Sequence, residues 1–261
     1  MMSFTATALN IHPSAASAID FAHPLCCRAM VDQSPTQARA AGIKGEVRIE
    51  EPDRAQRTIA RRSAEARATV PDLELSAEVD MDASLNLRAR VSCTVTALLL
   101  RACAAALREV PHANAAYRDG RFELYSRINI GIVIATGVTY TVPTVFDCDT
   151  KSLDALSQEA TRLAERAASG ELAAPDLTGA TFTLSNPGAL GVARTAPLIM
   201  PPQAAAVAAG AIREMPVVRA GAIVPGHCMT ITLACDHRIL YGTQAALFLT
   251  RIKTHLEEAT A

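Results

Sequence analysis

The chain has 261 residues, half of them hydrophobic, enough for one large domain or for a domain with a short appendage. Its 25 Lys and Arg against 26 Asp and Glu leave a formal net charge of −1, so no global field draws it to nucleic acid or to an anionic membrane. No run approaches the roughly twenty apolar residues of a membrane span, and the opening "MMSFTATALNIHPSAASAIDF" has no basic stretch ahead of its apolar residues, so neither a bilayer anchor nor a secretory leader is expected.

Residues 1–50 have weak periodicity and several breakers and are expected to form an irregular N-terminal arm; residues 51–261 form the main domain. "RTIARRSAEARA", 57–68, predicts a helix, closed at Val70-Pro71 because proline disfavours helix in the residue before it. "LELSAEVDM", 73–81, alternates apolar and polar as a half-buried strand does. Residues 83–108 read as one long helix, and the isoleucine-rich "RINIGIVIAT", 127–136, as a buried strand. Leu153, Leu156, Ala160, Leu163 and Ala167 line one face of a helix over 151–168, with Gly170 where such a helix stops. "ATFTLSN", 180–186, "AAAVAAGAI", 204–212, and "CMTITLACD", 228–236, are expected strands. Ala245, Phe248, Leu249, Ile252 and Leu256 mark a last amphipathic helix. The order predicts an α/β fold, a mixed sheet with flanking helices.

The seven cysteines are odd in number and include no CxxC pair; Cys26 and Cys27 are adjacent and the rest scattered. That suggests neither a zinc site nor a disulfide framework, and no metal is expected. Free, mostly buried thiols in a reducing cytoplasm are the expectation.

Two stretches carry candidate chemistry. In "ACDHRILYGTQAA", 234–246, His237 closes a strand ahead of a turn at Gly242. Imidazole is the side chain whose ordinary pKa lies near neutrality, so it can take a proton and return it. Spacing alone favours a hydrogen-bonded structural histidine. In "TFTLSNPGALGV", 181–192, Ser185 ends a strand beside the turn-forming Asn186-Pro187-Gly188. Its hydroxyl can donate to an oxyanion, although Ser, Asn, Pro and Gly also compose an ordinary polar turn.

Taken in order, "RTIARRSAEARATVPDLELSAEVDMDA", "INIGIVIAT", "VPTVFDCDTKSLDALSQEATRLAERAASGELAAPDLTGATFTLSNPGALGV", "PPQAAAVAAGAI" and "DHRILYG" resemble the catalytic domain of the dihydrolipoyl acyltransferases of 2-oxoacid dehydrogenase complexes. The resemblance runs from about residue 50 to residue 258. It implies a chloramphenicol acetyltransferase-like fold, a two-layer mixed sheet with flanking helices. It implies that His237 deprotonates the acyl acceptor and Ser185 steadies the oxyanion, with Asn186, Asp236, Arg238 and Gly242 matching the surrounding pattern. It implies acetyl-CoA as co-substrate, no metal, and a homo-oligomer, a trimer or a multiple of trimers, with His and Ser facing each other across a subunit boundary.

Three departures stand beside the resemblance. Tyr241 occupies a position where the family usually has an acid that pairs with an arginine near the start of the domain; Arg57, Arg61 and Arg62 are the candidates here. Thr139-Tyr140 replaces the family's Gly-Leu ahead of Val-Pro. No lipoyl group is expected on this chain, because Lys44 in "GIKGE" lacks an acidic flank and the first 50 residues are too few for a lipoyl domain of about 80. These departures favour a free-standing cytoplasmic O-acetyltransferase of the tetronate-biosynthesis kind, acting on a small or carrier-protein-linked acceptor. The alternatives are a dihydrolipoyl acyltransferase core and a non-catalytic scaffold of the same fold.

Overall fold

Asp53 and Gln56 start the first helix. In the computed structural model, which describes residues 37–43 and 45–259 (for 37–42 the backbone alone), the Asp53 carboxylate accepts the Gln56 N–H and the Gln56 side chain accepts the Asp53 N–H, both at 2.8 Å. This reciprocal cap satisfies two donors that a helix end leaves unmet. Helix α1 (Arg54–Thr69) stops at Val70, as the following proline requires. Ahead of it, where an irregular arm is expected, β1 (Gln37–Gly42) and β2 (Gly45–Ile49) pair as an antiparallel hairpin. Gly45 supplies a positive φ of 81° at that turn. The Cys26-Cys27 pair, Lys44 and the rest of the expected arm lie outside the described residues.

β3 (Asp72–Asp80) follows, and then the stretch expected as one helix divides into α2 (Asp82–Val91) and α3 (Val95–Glu109), bent by 116°. Ser92 takes a left-handed φ of 47°, and Thr94 restarts the helix by accepting the Ala97 N–H at 3.1 Å. The Thr94 N–H is in turn met by the Ser157 hydroxyl at 3.1 Å. The break is therefore held from a distant helix, with no glycine or proline to announce it. No single helix among the described residues is long and apolar enough to cross a membrane.

The remaining elements are β4 (Ala115–Arg118), β5 (Arg121–Leu124), β6 (Ile130–Thr136), β7 (Thr139–Thr141), β8 (Thr144–Val145), α4 (Leu153–Ser169), β9 (Phe182–Ser185), β10 (Ala205–Ala209), β11 (Arg213–Arg219), β12 (Ala222–Asp236) and α5 (Gly242–Glu257). Eight strands make one mixed sheet along the path β11-β12-β10-β9-β6-β7, with β3 on β12 and β8 on β6. β9 runs parallel to β6 and β10, and β12 antiparallel to β10, β11 and β3. The expected mixed α/β sheet with flanking helices is the architecture found. β4, β5, β7, β8 and β11 are not among the expected elements, and β12 begins at Ala222, six residues before the expected 228.

Strand alternation assigns the two faces. Met229, Ile231 and Leu233 of β12, Ala205 and Val207 of β10, and Phe182 and Leu184 of β9 join the main core with Phe248, Ile252 and Leu163 of the helices. Phe182 and Phe248 meet edge to face at 5.8 Å. Each such Phe, Leu, Ile, Val or Met side chain contributes about 1.5–3 kcal/mol on burial. The intervening residues, Thr232, Ala206, Ala208, Thr183 and Ser185, lie on the opposite face and are small or hydroxylated. There Thr183 donates to the Gln203 side-chain oxygen at 2.6 Å, and the Gln203 amide donates to the Ala180 carbonyl at 3.2 Å.

Candidate active site

Ser185 is the last residue of β9, level with Val133 of β6 and Ala208 of β10. It is half-buried, and among the described residues its hydroxyl has no hydrogen-bond partner. The chain leaves the strand through Asn186, whose amide donates to the Thr96 hydroxyl at 3.4 Å, into a single 3-10 turn, Pro187–Leu190. That turn sits against the end of β10 so closely that a Cβ on Gly188 would lie 2.2 Å from the Gly210 carbonyl oxygen. A Cβ on Gly210 would lie 2.0 Å from the Ala193 carbonyl oxygen. Backbone against backbone cannot yield as a side chain does. Gly188→Ala is therefore expected to destabilise the protein by about 1–3 kcal/mol, read from its thermal midpoint, and to displace Ser185 with the turn.

At the other motif Asp236 ends β12, and its carboxylate is buried at 2 % exposure. It accepts the Arg238 N–H at 3.0 Å and the guanidinium through Nε at 2.9 Å and Nη2 at 2.6 Å. That hydrogen bonding holds the Arg238 pKa above its ordinary value. The guanidinium also lies over the Tyr117 ring, 4.6 Å from its centroid. Between these two fixed residues His237 is exposed, and its N–H donates to the Pro71 carbonyl at 2.9 Å. A histidine held by its backbone, with no hydrogen bond to its ring among the described residues, is built to present the ring. Two residues earlier, burial pushes the Cys235 thiol up to about 12, which leaves it protonated near neutrality and no nucleophile. Among the described residues no cluster of His, Cys, Asp and Glu is arranged to hold a metal ion.

The arginine partner expected for Tyr241 is not met within the chain. Arg57 donates to the Pro52 carbonyl, Arg61 pairs with Glu65 at 3.8 Å, and Arg57, Arg61 and Arg62 are all exposed. Tyr241 is instead 54 % exposed, and its ring meets that of His237 edge to face at 6.0 Å. It is also the N-cap of α5, with extended backbone and no side-chain hydrogen bond. A phenol is too long to reach back to the first-turn N–H groups, as an Asn or Asp side chain does. Tyr241→Asn is therefore expected to stabilise the protein by about 1 kcal/mol, a rise of about 2–4 °C in Tm by calorimetry. Gly242 is the first residue of α5, not a separate turn, and a Cβ there would meet nothing within 4 Å. Thr139 and Tyr140 lie in β7, the strand paired antiparallel to the end of β6.

One copy of the chain does not bring Ser185 and His237 together. Ser185 is level with Ala208, and Ala208 with Thr232 of β12, five residues short of His237, which follows the strand. The two residues are thus separated by about 17 Å along the strands and about 10 Å across them, at opposite ends of the sheet.

Residues 44–261 match the family described as 2-oxoacid dehydrogenases acyltransferase (catalytic domain). The chain belongs to this family. It is 34 % identical over 212 residues to a dihydrolipoyllysine-residue acetyltransferase component of the pyruvate dehydrogenase complex of Zymomonas mobilis, covering 78 % of this chain and 48 % of the relative. It is 36 % identical over 214 residues to a dihydrolipoyllysine-residue succinyltransferase component of the 2-oxoglutarate dehydrogenase complex of Bartonella vinsonii, covering 78 % and 52 %. The chain spans about half the length of the curated relatives it matches.

Among solved structures, the dihydrolipoamide acetyltransferase of Azotobacter vinelandii superposes with a TM-score of 0.78 at 28 % identity, covering 82 % of this chain and 93 % of that one. A probable dihydrolipoamide acetyltransferase from Listeria monocytogenes gives 0.77 at 29 %, covering 82 % and 97 %. In the Azotobacter enzyme a serine, a histidine 52 residues later and an asparagine 4 residues beyond that have been investigated for their role in the catalytic mechanism. Ser185, His237 and Tyr241 of this chain have the same spacings.

These relatives correct the functional expectation. The tetronate-type O-acetyltransferase reading is overturned, because relatives at 31–36 % identity are dihydrolipoyllysine-residue acetyltransferases and succinyltransferases. That reading leaned on where the chain begins and on Thr139-Tyr140 and Tyr241. The first carries no chemistry, and the others lie in an edge hairpin and at a helix cap.

Proposed function

We propose that this chain is a dihydrolipoyl acyltransferase core, moving an acyl group between a dihydrolipoyl thiol carried on a separate domain and coenzyme A. The observation that carries this reading is the Ser185-to-His237 spacing of 52, equal to that of the serine and histidine studied in the Azotobacter enzyme and set on the same fold. His237 takes the proton from the coenzyme A thiol, and the thiolate attacks the acyl-dihydrolipoyl carbonyl. The oxyanion of the tetrahedral intermediate accepts a hydrogen bond from Ser185. Collapse expels the dihydrolipoyl thiolate, which recovers the proton from His237, and acyl-CoA leaves. No bond forms between acyl group and protein. Asp236 and Arg238 fix the backbone on either side of His237.

Ser185 and His237 lie at opposite ends of one sheet, so the reading requires the histidine of one copy to meet the serine of the next. A closed homo-oligomer built on trimers supplies that contact, in keeping with the structural likeness to the cubic core of the pyruvate dehydrogenase multienzyme complex, with a TM-score of 0.76 at 29 % identity. The test supplies acetyl- and succinyl-dihydrolipoamide separately with coenzyme A and follows acyl-CoA. Formation of either acyl-CoA is expected; absence of both, with an assembled protein, would refute the reading.

A further inference from the structure

We propose that Tyr117 is a positioning residue for His237, acting through Arg238; this rests on the acyltransfer reading above. Tyr117 belongs to the short β4–β5 hairpin, which among the described residues pairs only with itself apart from one bridge between Ala116 and Gln203. Two lines of contact nevertheless tie the hairpin to the end of β12. Along the backbone, the Ala204 N–H donates to the Ala115 carbonyl at 2.9 Å, and the Asp236 N–H donates to the Ala204 carbonyl at 2.8 Å. Through side chains, Ile239 packs with Ala115 and Ala204 in a small cluster that Tyr117 flanks. The Tyr117 ring then closes over the Arg238 guanidinium at 4.6 Å.

Arg238 is thereby held on two sides. The buried Asp236 carboxylate accepts from Nε and Nη2, and the Tyr117 ring face attracts the cation. Its side chain is 36 % exposed, so without the ring water competes for the same donors. The residue between this pair is His237, whose ring has no hydrogen bond among the described residues and meets only the exposed Tyr241 ring, edge to face at 6.0 Å. The Tyr117 ring is itself braced by Phe122 at 6.0 Å. A ring that cages Arg238 therefore fixes the loop that aims the imidazole, and a displacement of about 1 Å at a reacting group can lower a rate about 100-fold.

The test compares Tyr117→Phe, Tyr117→Leu, Arg238→Gln and the double variant Tyr117→Leu/Arg238→Gln in the acyl-dihydrolipoamide assay. Tyr117→Phe, which keeps the π face, is expected to stay within about twofold of wild type. Tyr117→Leu is expected to lower kcat on the order of tenfold with KM unchanged, and to have no further effect once Arg238 is Gln. The Tyr117→Leu protein is also expected to exchange the amide hydrogens of residues 237–241 faster than Tyr117→Phe. Should Tyr117→Leu not fold, Tyr117→Met fills similar space without a π face and is read the same way. Wild-type kcat in the Leu variant, an equal loss in the Phe variant, a change in KM alone, or multiplied losses in the double variant would each overturn the inference. If the wild-type protein turns over no acyl-dihydrolipoamide, the parent reading fails, and the exchange comparison still decides this one: equal rates reject it.

Discussion

His237→Ala is expected to lower kcat by about 10² to 10⁴, with KM for coenzyme A and for acyl-dihydrolipoamide nearly unchanged. The thiol of coenzyme A is mostly protonated at neutral pH, so attack on a thioester waits for a base in contact with it. On the proposed reading the exposed imidazole just past the end of β12 supplies one, and its removal leaves water. The fold should be indifferent to the change. The His237 N–H keeps its bond to the Pro71 carbonyl whatever the side chain, and Asp236 and Arg238 still fix the loop. Steady-state kinetics beside light scattering and a thermal melt checks this. A variant that keeps wild-type kcat, or loses rate only by falling apart, would remove His237 from the chemistry.

Ser185→Ala is expected to lower kcat by about 10² to 10³, the loss typical of one oxyanion donor. Because the Ser185 hydroxyl has no partner among the described residues, alanine strands no buried group, and stability should change by less than about 0.5 kcal/mol. Mixing gives a sharper measurement. Preparations of Ser185→Ala and His237→Ala, each nearly inactive, are dissociated together and reassembled. If each site takes its serine from one copy and its histidine from the next, every mixed trimer has one intact site of three. Equal random mixing then restores about a quarter of the sites. A site contained in one chain would restore none.

Much of the sheet was legible because its signals are local. The alternation of "CMTITLACD", the small apolar run of β10 and the Leu-Ala face of α4 are patterns of period two and 3.6, and each core residue they nominate is buried. The break between α2 and α3 was not legible, because a left-handed serine and a cap from Ser157 leave no mark in the local sequence. The β4–β5 hairpin did leave one. Asp119-Gly120, both at positive φ, is the pair a two-residue turn favours, and the alternation beside it is too short to draw notice. At the site, "DHR" and "SNPG" stand out as residue types, but their distance depends on register. β9 and β12 are antiparallel through an intervening strand, so one motif lies at each end, and nothing in either motif states this. Tyr117 carried no signal at all; its relation to Arg238 exists only after the hairpin has folded beside β12.

The placement of serine and histidine at opposite ends of one sheet has a consequence for how activity depends on dilution. On the proposed reading each copy is a half-link, offering a base to one neighbour and an oxyanion donor to the other. Two copies joined once complete a single centre and leave two halves idle; only a closed loop uses every half. Specific activity should therefore fall as the protein is diluted past the point where its rings open, and it should fall before any copy loses its own secondary structure.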